Sequence, residues 1–65
     1  MARILIIEDE IDLNNLIRAE LVADGHQVVQ AFDGLVGAQY VEEQPFDLVI
    51  LAKRPVNPLA LAMGI

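Results

Sequence analysis

Three carboxylates stand in a row at Glu8-Asp9-Glu10, directly after the apolar run Ile4-Leu5-Ile6-Ile7. Acids gathered at the end of a strand can hold a hard divalent cation such as Mg²⁺, which takes oxygen ligands in octahedral geometry. The same three residues can equally serve as a solvated cluster at the start of a helix, and both readings stand open at this point. A second apolar run, Leu48-Val49-Ile50-Leu51, ends in Ala52, whose methyl group offers no nucleophile, and Lys53-Arg54 follows as an adjacent basic pair. His26 stands alone beside Gly25, with no second His and no Cys to complete a metal site, and reads as a surface turn residue. Tyr40, Phe32 and Phe46 read as packing residues.

Composition limits what such residues can be asked to do. Sixty-five residues allow one small domain, and ten acidic against four basic residues leave a net charge of −6. That balance excludes a nucleic-acid surface, which needs cations to displace phosphate counterions. No stretch approaches the roughly 18 apolar residues of a membrane span. The absence of Cys and of a leader segment leads to the expectation of a cytoplasmic protein. A lone core below about 70–80 residues rarely supplies more than about 3–5 kcal/mol. Yet 55% of the residues are apolar, more than one small copy can cover, which points to association with another chain.

The elements that must position these residues follow from periodicity. Ile4–Ile7 is continuous and rich in β-branched residues, as in a strand buried on both faces. Leu13, Leu16, Ile17 and Leu21 mark one face of a first helix, with Asp12 in its first turn and Gly25 placed for a left-handed C-terminal cap. Gln27–Ala31 reads as a second strand of mixed polarity. Asp33 is suited to cap a second helix over Gly34–Glu43, with Leu35, Ala38 and Val41 as its apolar stripe. Gly37 inside that helix weakens it by about 0.5–1 kcal/mol relative to Ala, and Gln44-Pro45 ends it. Leu48–Leu51 is a third strand. The order is βαβαβ with parallel pairing over residues 1–52, followed by an apolar, Pro-containing tail over residues 53–65 that carries no charge after Arg54.

Three segments together carry a family likeness. Arg3-Ile4-Leu5-Ile6-Ile7-Glu8-Asp9-Glu10, Asp33-Gly34, and Pro45-Phe46-Asp47-Leu48-Val49-Ile50-Leu51 resemble the receiver domain of bacterial two-component response regulators, the transcription-factor type above all. The likeness spans residues 2–51, roughly the first half of such a domain. It implies a flavodoxin-like, doubly wound sheet whose first three strands lie in the order 2-1-3, with the site where the order reverses. By this resemblance Glu8 and Asp9 match the acidic pair that holds Mg²⁺. Ala52 matches the aspartate that accepts a phosphoryl group from a histidine kinase, and Arg54 a position whose carbonyl helps ligate the metal. The hydroxyl residue after strand 4 and the lysine after strand 5 have no counterpart here.

The expectation is therefore a truncated receiver-like fragment, inactive in phosphotransfer and not an enzyme. Mg²⁺ would bind weakly at Glu8 and Asp9. The third strand becomes an apolar edge, so the chain is expected to form a homo-oligomer through Leu48–Leu51 and the apolar tail. Two other readings compete. One is a phosphorylation-independent module that binds a histidine kinase or a full-length regulator through its first helix. The other is a small metal- or anion-binding protein, or an enzyme, that uses Glu8 and Asp9.

Overall fold

A computed structural model describes residues 1–52. The expected tail over 53–65, with Lys53 and Arg54, lies outside the described residues. The chain runs β1 (Arg3–Ile7), α1 (Ile11–Ala23), β2 (Gln27–Ala31), α2 (Gly34–Glu43) and β3 (Leu48–Leu51). All pairing is parallel, in the order β2-β1-β3, so this is an α/β unit and the partial flavodoxin-like sheet that the sequence implied. In register, Ile4, Leu5, Ile6 and Ile7 stand beside Val28, Val29, Gln30 and Ala31 on one side and Leu48, Val49, Ile50 and Leu51 on the other.

Side chains alternate along a strand, and the contacts assign each face to one helix. Ile7 meets Gly37 of α2, so Leu5, Val29, Val49 and Leu51 share the α2 face. Gln30 reaches Asn14 and Asn15 of α1, so Ile4, Ile6, Val28, Leu48 and Ile50 share the α1 face. Each helix packs on β1 and β2, and neither packs on β3. The core is accordingly small: Ile4, Leu5, Ile6 and Ala31.

Both helix boundaries follow local chemistry. At the end of α1 the Gly25 N–H donates to Val22 O at 3.0 Å and the His26 N–H to Leu21 O at 3.1 Å, the two bonds of a Schellman cap. The turn needs the left-handed backbone that Gly25 supplies at φ 89°. Asp33 caps α2 as expected, accepting from the Val36 N–H at 2.8 Å.

The packing faces depart from the sequence pattern in both helices. On α1, Leu13, Ile17 and Leu21 turn inward, but Leu16 is exposed and Asn14 takes the buried position. On α2, the expected stripe faces water: Ala38 is exposed, as are Leu35 at 73% and Val41 at 50%. Val36, Gly37 and Tyr40 face the sheet instead. Gly37 sets this phase. A Cβ built there would stand 2.7 Å from Ile7 Cγ1, closer than real atoms approach. The glycine that weakens the isolated helix is what lets α2 lie down on β1. Among the aromatic residues, Tyr40 and Phe46 are half-buried as packing residues should be, while Phe32 is exposed.

Candidate functional site

The chemistry-bearing residues meet at the carboxyl edge of the sheet, where β1 and β3 end. Backbone hydrogen bonds fix this edge on both sides. The Glu8 N–H donates to Ala31 O at 3.1 Å, and the Ala52 N–H donates to Ile7 O at 3.2 Å. Positions 8 and 52 therefore follow the last paired residues, Ile7 and Leu51, side by side on neighbouring strands.

The three acids do not act as one cluster. Glu8 is 2% exposed, whereas Asp9 and Glu10 are exposed. One carboxylate oxygen of Glu8, Oε2, accepts from the Glu10 N–H at 2.6 Å. Glu8 thus satisfies the backbone N–H of Glu10, the residue just before α1, and the Glu10 side chain itself makes no cap bond. The other oxygen, Oε1, is enclosed and has no hydrogen-bond partner among the described residues. The solvated helix-start reading fits Asp9 and Glu10 and fails for Glu8.

Beneath Glu8 lies a polar network that apolar periodicity did not reveal. Asn14, fully buried, donates from Nδ2 to Glu8 O and to Ala31 O, each at 3.0 Å. Its Oδ1 accepts from Gln30 Nε2 at 2.8 Å, and that amide also reaches Asn15 Oδ1 at 2.9 Å. One side chain thereby ties the end of β1, the end of β2 and the first turn of α1 together. Buried amides are retained when their polar atoms are satisfied, and three bonds satisfy most of what this one offers. The sequence held two signals: an Asn one step from the inward Leu13, and a Gln inside a strand.

The opposite edge is fastened by residues to which the sequence assigned no such role. The Ala2 N–H donates to His26 Nδ1 at 3.0 Å, so His26 is a half-buried clasp and not the surface residue expected. The Arg3 guanidinium hydrogen-bonds Gln44 and lies 5.4 Å from the Phe46 ring centre. Asp47 accepts from the Arg3 N–H at 2.8 Å and returns its own N–H to Arg3 O at 2.8 Å.

Chemically, the carboxyl edge brings together Glu8 and the Ala52 methyl, with Asp9 beside them in sequence. Ala52 supplies neither a nucleophilic oxygen nor a metal ligand. Among the described residues, no group of three or more His, Cys, Asp or Glu side chains is gathered as a metal would need. Glu8 and Asp9 alone offer an ion fewer protein oxygens than a tight octahedral site uses. Among the described residues no helix is long and apolar enough to cross a membrane. No protein-family model matches the chain, and no solved structure matches it.

Proposed function

We propose that this chain is a receiver-like signalling module that does not accept phosphoryl groups, working in the cytoplasm as a binding element of a two-component regulator. The observation that carries the reading is Ala52 at the carboxyl end of β3, next to buried Glu8 at the end of β1. Phosphoryl transfer onto a protein needs a nucleophilic oxygen, with a cation and donors around the transferred group. The sheet order, the capped α2 and the placement of Glu8 support a receiver-like origin, and the methyl at position 52 supports silence in transfer. The chain also contains no Ser and no Thr, so no aliphatic hydroxyl can substitute.

The test is incubation with acetyl phosphate and Mg²⁺, followed by intact-mass measurement. The native chain is expected to stay unmodified. A covalently bound phosphoryl group would overturn the reading.

One observation favours a second reading, a phosphorylation-independent dock for a histidine kinase or a full-length regulator. Ile11, Leu16 and Val22 of α1 are exposed, and the first helix is the docking surface that the resemblance implies. Capture of a kinase by the native chain, lost with Ile11→Glu and Leu16→Glu, would support it. Equal capture by the native and double-variant chains would remove α1 from consideration.

A further inference from the structure

Strand β3 carries two properties that rarely coincide. Among the described residues it is an edge of the sheet, and its side chains are exposed on both faces: Leu48 is 52% exposed, Val49 42% and Leu51 56%. An open apolar edge is a template for another strand. The backbone shows how that template is phased. The Ala52 N–H is directed at Ile7 O of β1. Backbone groups alternate along a strand in a parallel pair, so Ile50 and Leu48 also address β1, while Val49 and Leu51 turn their N–H and C=O groups to the open edge.

We propose that a second copy of this chain pairs with that edge, β3 against β3, antiparallel about a twofold axis that passes beside Ile50. The combined sheet then runs β2-β1-β3-β3-β1-β2 through six strands. Three observations select the occupant and the register. First, a twofold axis normal to the sheet keeps the α1 faces of both copies on one side. Opposed residues must then have the same parity, so the axis falls beside a residue and not between two, and the central candidates in β3 are Val49 and Ile50. Second, an axis beside Ile50 opposes Val49 of each copy to Leu51 of the other, and these are the residues whose backbone groups are open. An axis beside Val49 would oppose Leu51 to Asp47 instead, whose N–H is already given to Arg3 O at 2.8 Å. Third, residues 48–52 carry no charge in a chain of net charge −6. The Ile50-centred register confines the strand contact to those uncharged residues, whereas the other sets a carboxylate against Leu51.

An identical edge meets every requirement of this one: open donors and acceptors at alternate positions, and apolar side chains on both faces. Among the described residues β3 is the segment with that pattern. The contact draws on β3 alone and stands apart from the phosphotransfer reading.

Sedimentation equilibrium over a concentration series tests the pairing, with circular dichroism to verify that each variant is folded. The native chain is expected to be a dimer. Val49→Lys alone and Leu51→Glu alone each weaken association at least tenfold. The chain carrying both regains it, because Lys at 49 then faces Glu at 51 twice across the axis. With an axis beside Val49 the same double variant would set Lys against Lys and stay dissociated. In a chain without Cys, Ile50→Cys is expected to give a disulfide-linked dimer on mild oxidation, and Leu48→Cys is not. A folded native monomer, or a double variant that remains as dissociated as the single ones, overturns the proposal. So does a native monomer whose Val49 and Leu51 amides resist hydrogen exchange, an outcome that assigns the edge to residues 53–65 of the same chain.

Discussion

The two flanks of β1 are built to opposite rules. On the β2 flank both helices lie across the strands, Gly37 lets α2 down onto Ile7, and Asn14 closes the end of the sheet with bonds to Glu8 O and Ala31 O. On the β3 flank neither α1 nor α2 crosses, and three of four side chains are exposed. Both flanks share one central strand with fully buried Leu5 and Ile6. The difference shows which flank of this small fold is packed by helices within the described residues and which is not. On the β2 flank Asn14 and Ala31 are buried and Val28 and Val29 half-buried, whereas no side chain of β3 is buried.

The comparison breaks most readily at Asn14. Asn14→Ala strips a donor from two buried carbonyls and leaves Gln30 without its inner acceptor, a loss of about 2–3 kcal/mol. Against the few kcal/mol such a domain holds, that is most of its stability. Thermal unfolding followed by circular dichroism is expected to shift down by about 8–20 °C. A shift under about 3 °C would mean that the polar network is dispensable and that the two flanks are alike.

Gly37→Ala ranks second. Helix propensity favours the alanine by about 0.5–1 kcal/mol, but overpacking costs about 1–3 kcal/mol. The net expectation is a destabilisation of about 1 kcal/mol, against the usual sign for Gly→Ala in a helix. Ile7 Cδ1 is the atom nearest to the added methyl. Ile7→Ala removes that atom and both Cγ atoms beside it, so Gly37→Ala introduced into the Ile7→Ala chain is expected to be neutral or stabilising. Urea titration of the four chains reads this coupling directly.

The β3 flank should answer weakly to the same treatment. Leu51→Ala removes a side chain that is more than half exposed. Read at the lowest concentration at which unfolding can be followed, it is expected to cost under about 1 kcal/mol, because little of the side chain leaves water within one copy. A loss as large as that for Asn14→Ala would show that β3 is buried within a single chain, and the contrast between flanks would vanish.

What the sequence disclosed and what it hid divide along the same line. The strands, the span of α2, the Asp33 cap and the Gly25 turn were legible, because each is a local matter of periodicity or backbone conformation. The phase of α2 was not. Counting apolar residues selected Leu35, Ala38 and Val41, whereas the helix is seated by the absence of a side chain at Gly37, a property with no hydropathy. Asn14 was hidden for the related reason that a satisfied buried amide is polar in sequence and interior in space. At the candidate site, the adjacency of positions 8 and 52 was readable from strand order. The division of Glu8 from Asp9 and Glu10 was not, since it depends on the Glu10 N–H capturing one oxygen of Glu8.

The smallest expected effect concerns the edge where the two flanks meet. Glu8 commits Oε2 to the backbone and keeps Oε1 enclosed, Asp9 is exposed, and the Ala52 side chain is a methyl. An ion held there by two carboxylates would occupy the site only at millimolar concentration. Binding at a concentration equal to its dissociation constant stabilises a fold by about 0.4 kcal/mol. Added Mg²⁺ at that level should therefore raise the midpoint of unfolding by no more than about 2–3 °C. Ala52→Asp places a carboxylate at the carboxyl end of β3 and should enlarge the Mg²⁺ response while lowering stability in its absence, through repulsion from Glu8 and Asp9. A strong Mg²⁺ response in the native chain, unchanged by Glu8→Gln, would place the ion away from this edge. The carboxyl ends of β1 and β3 would then have lost their claim to be the site.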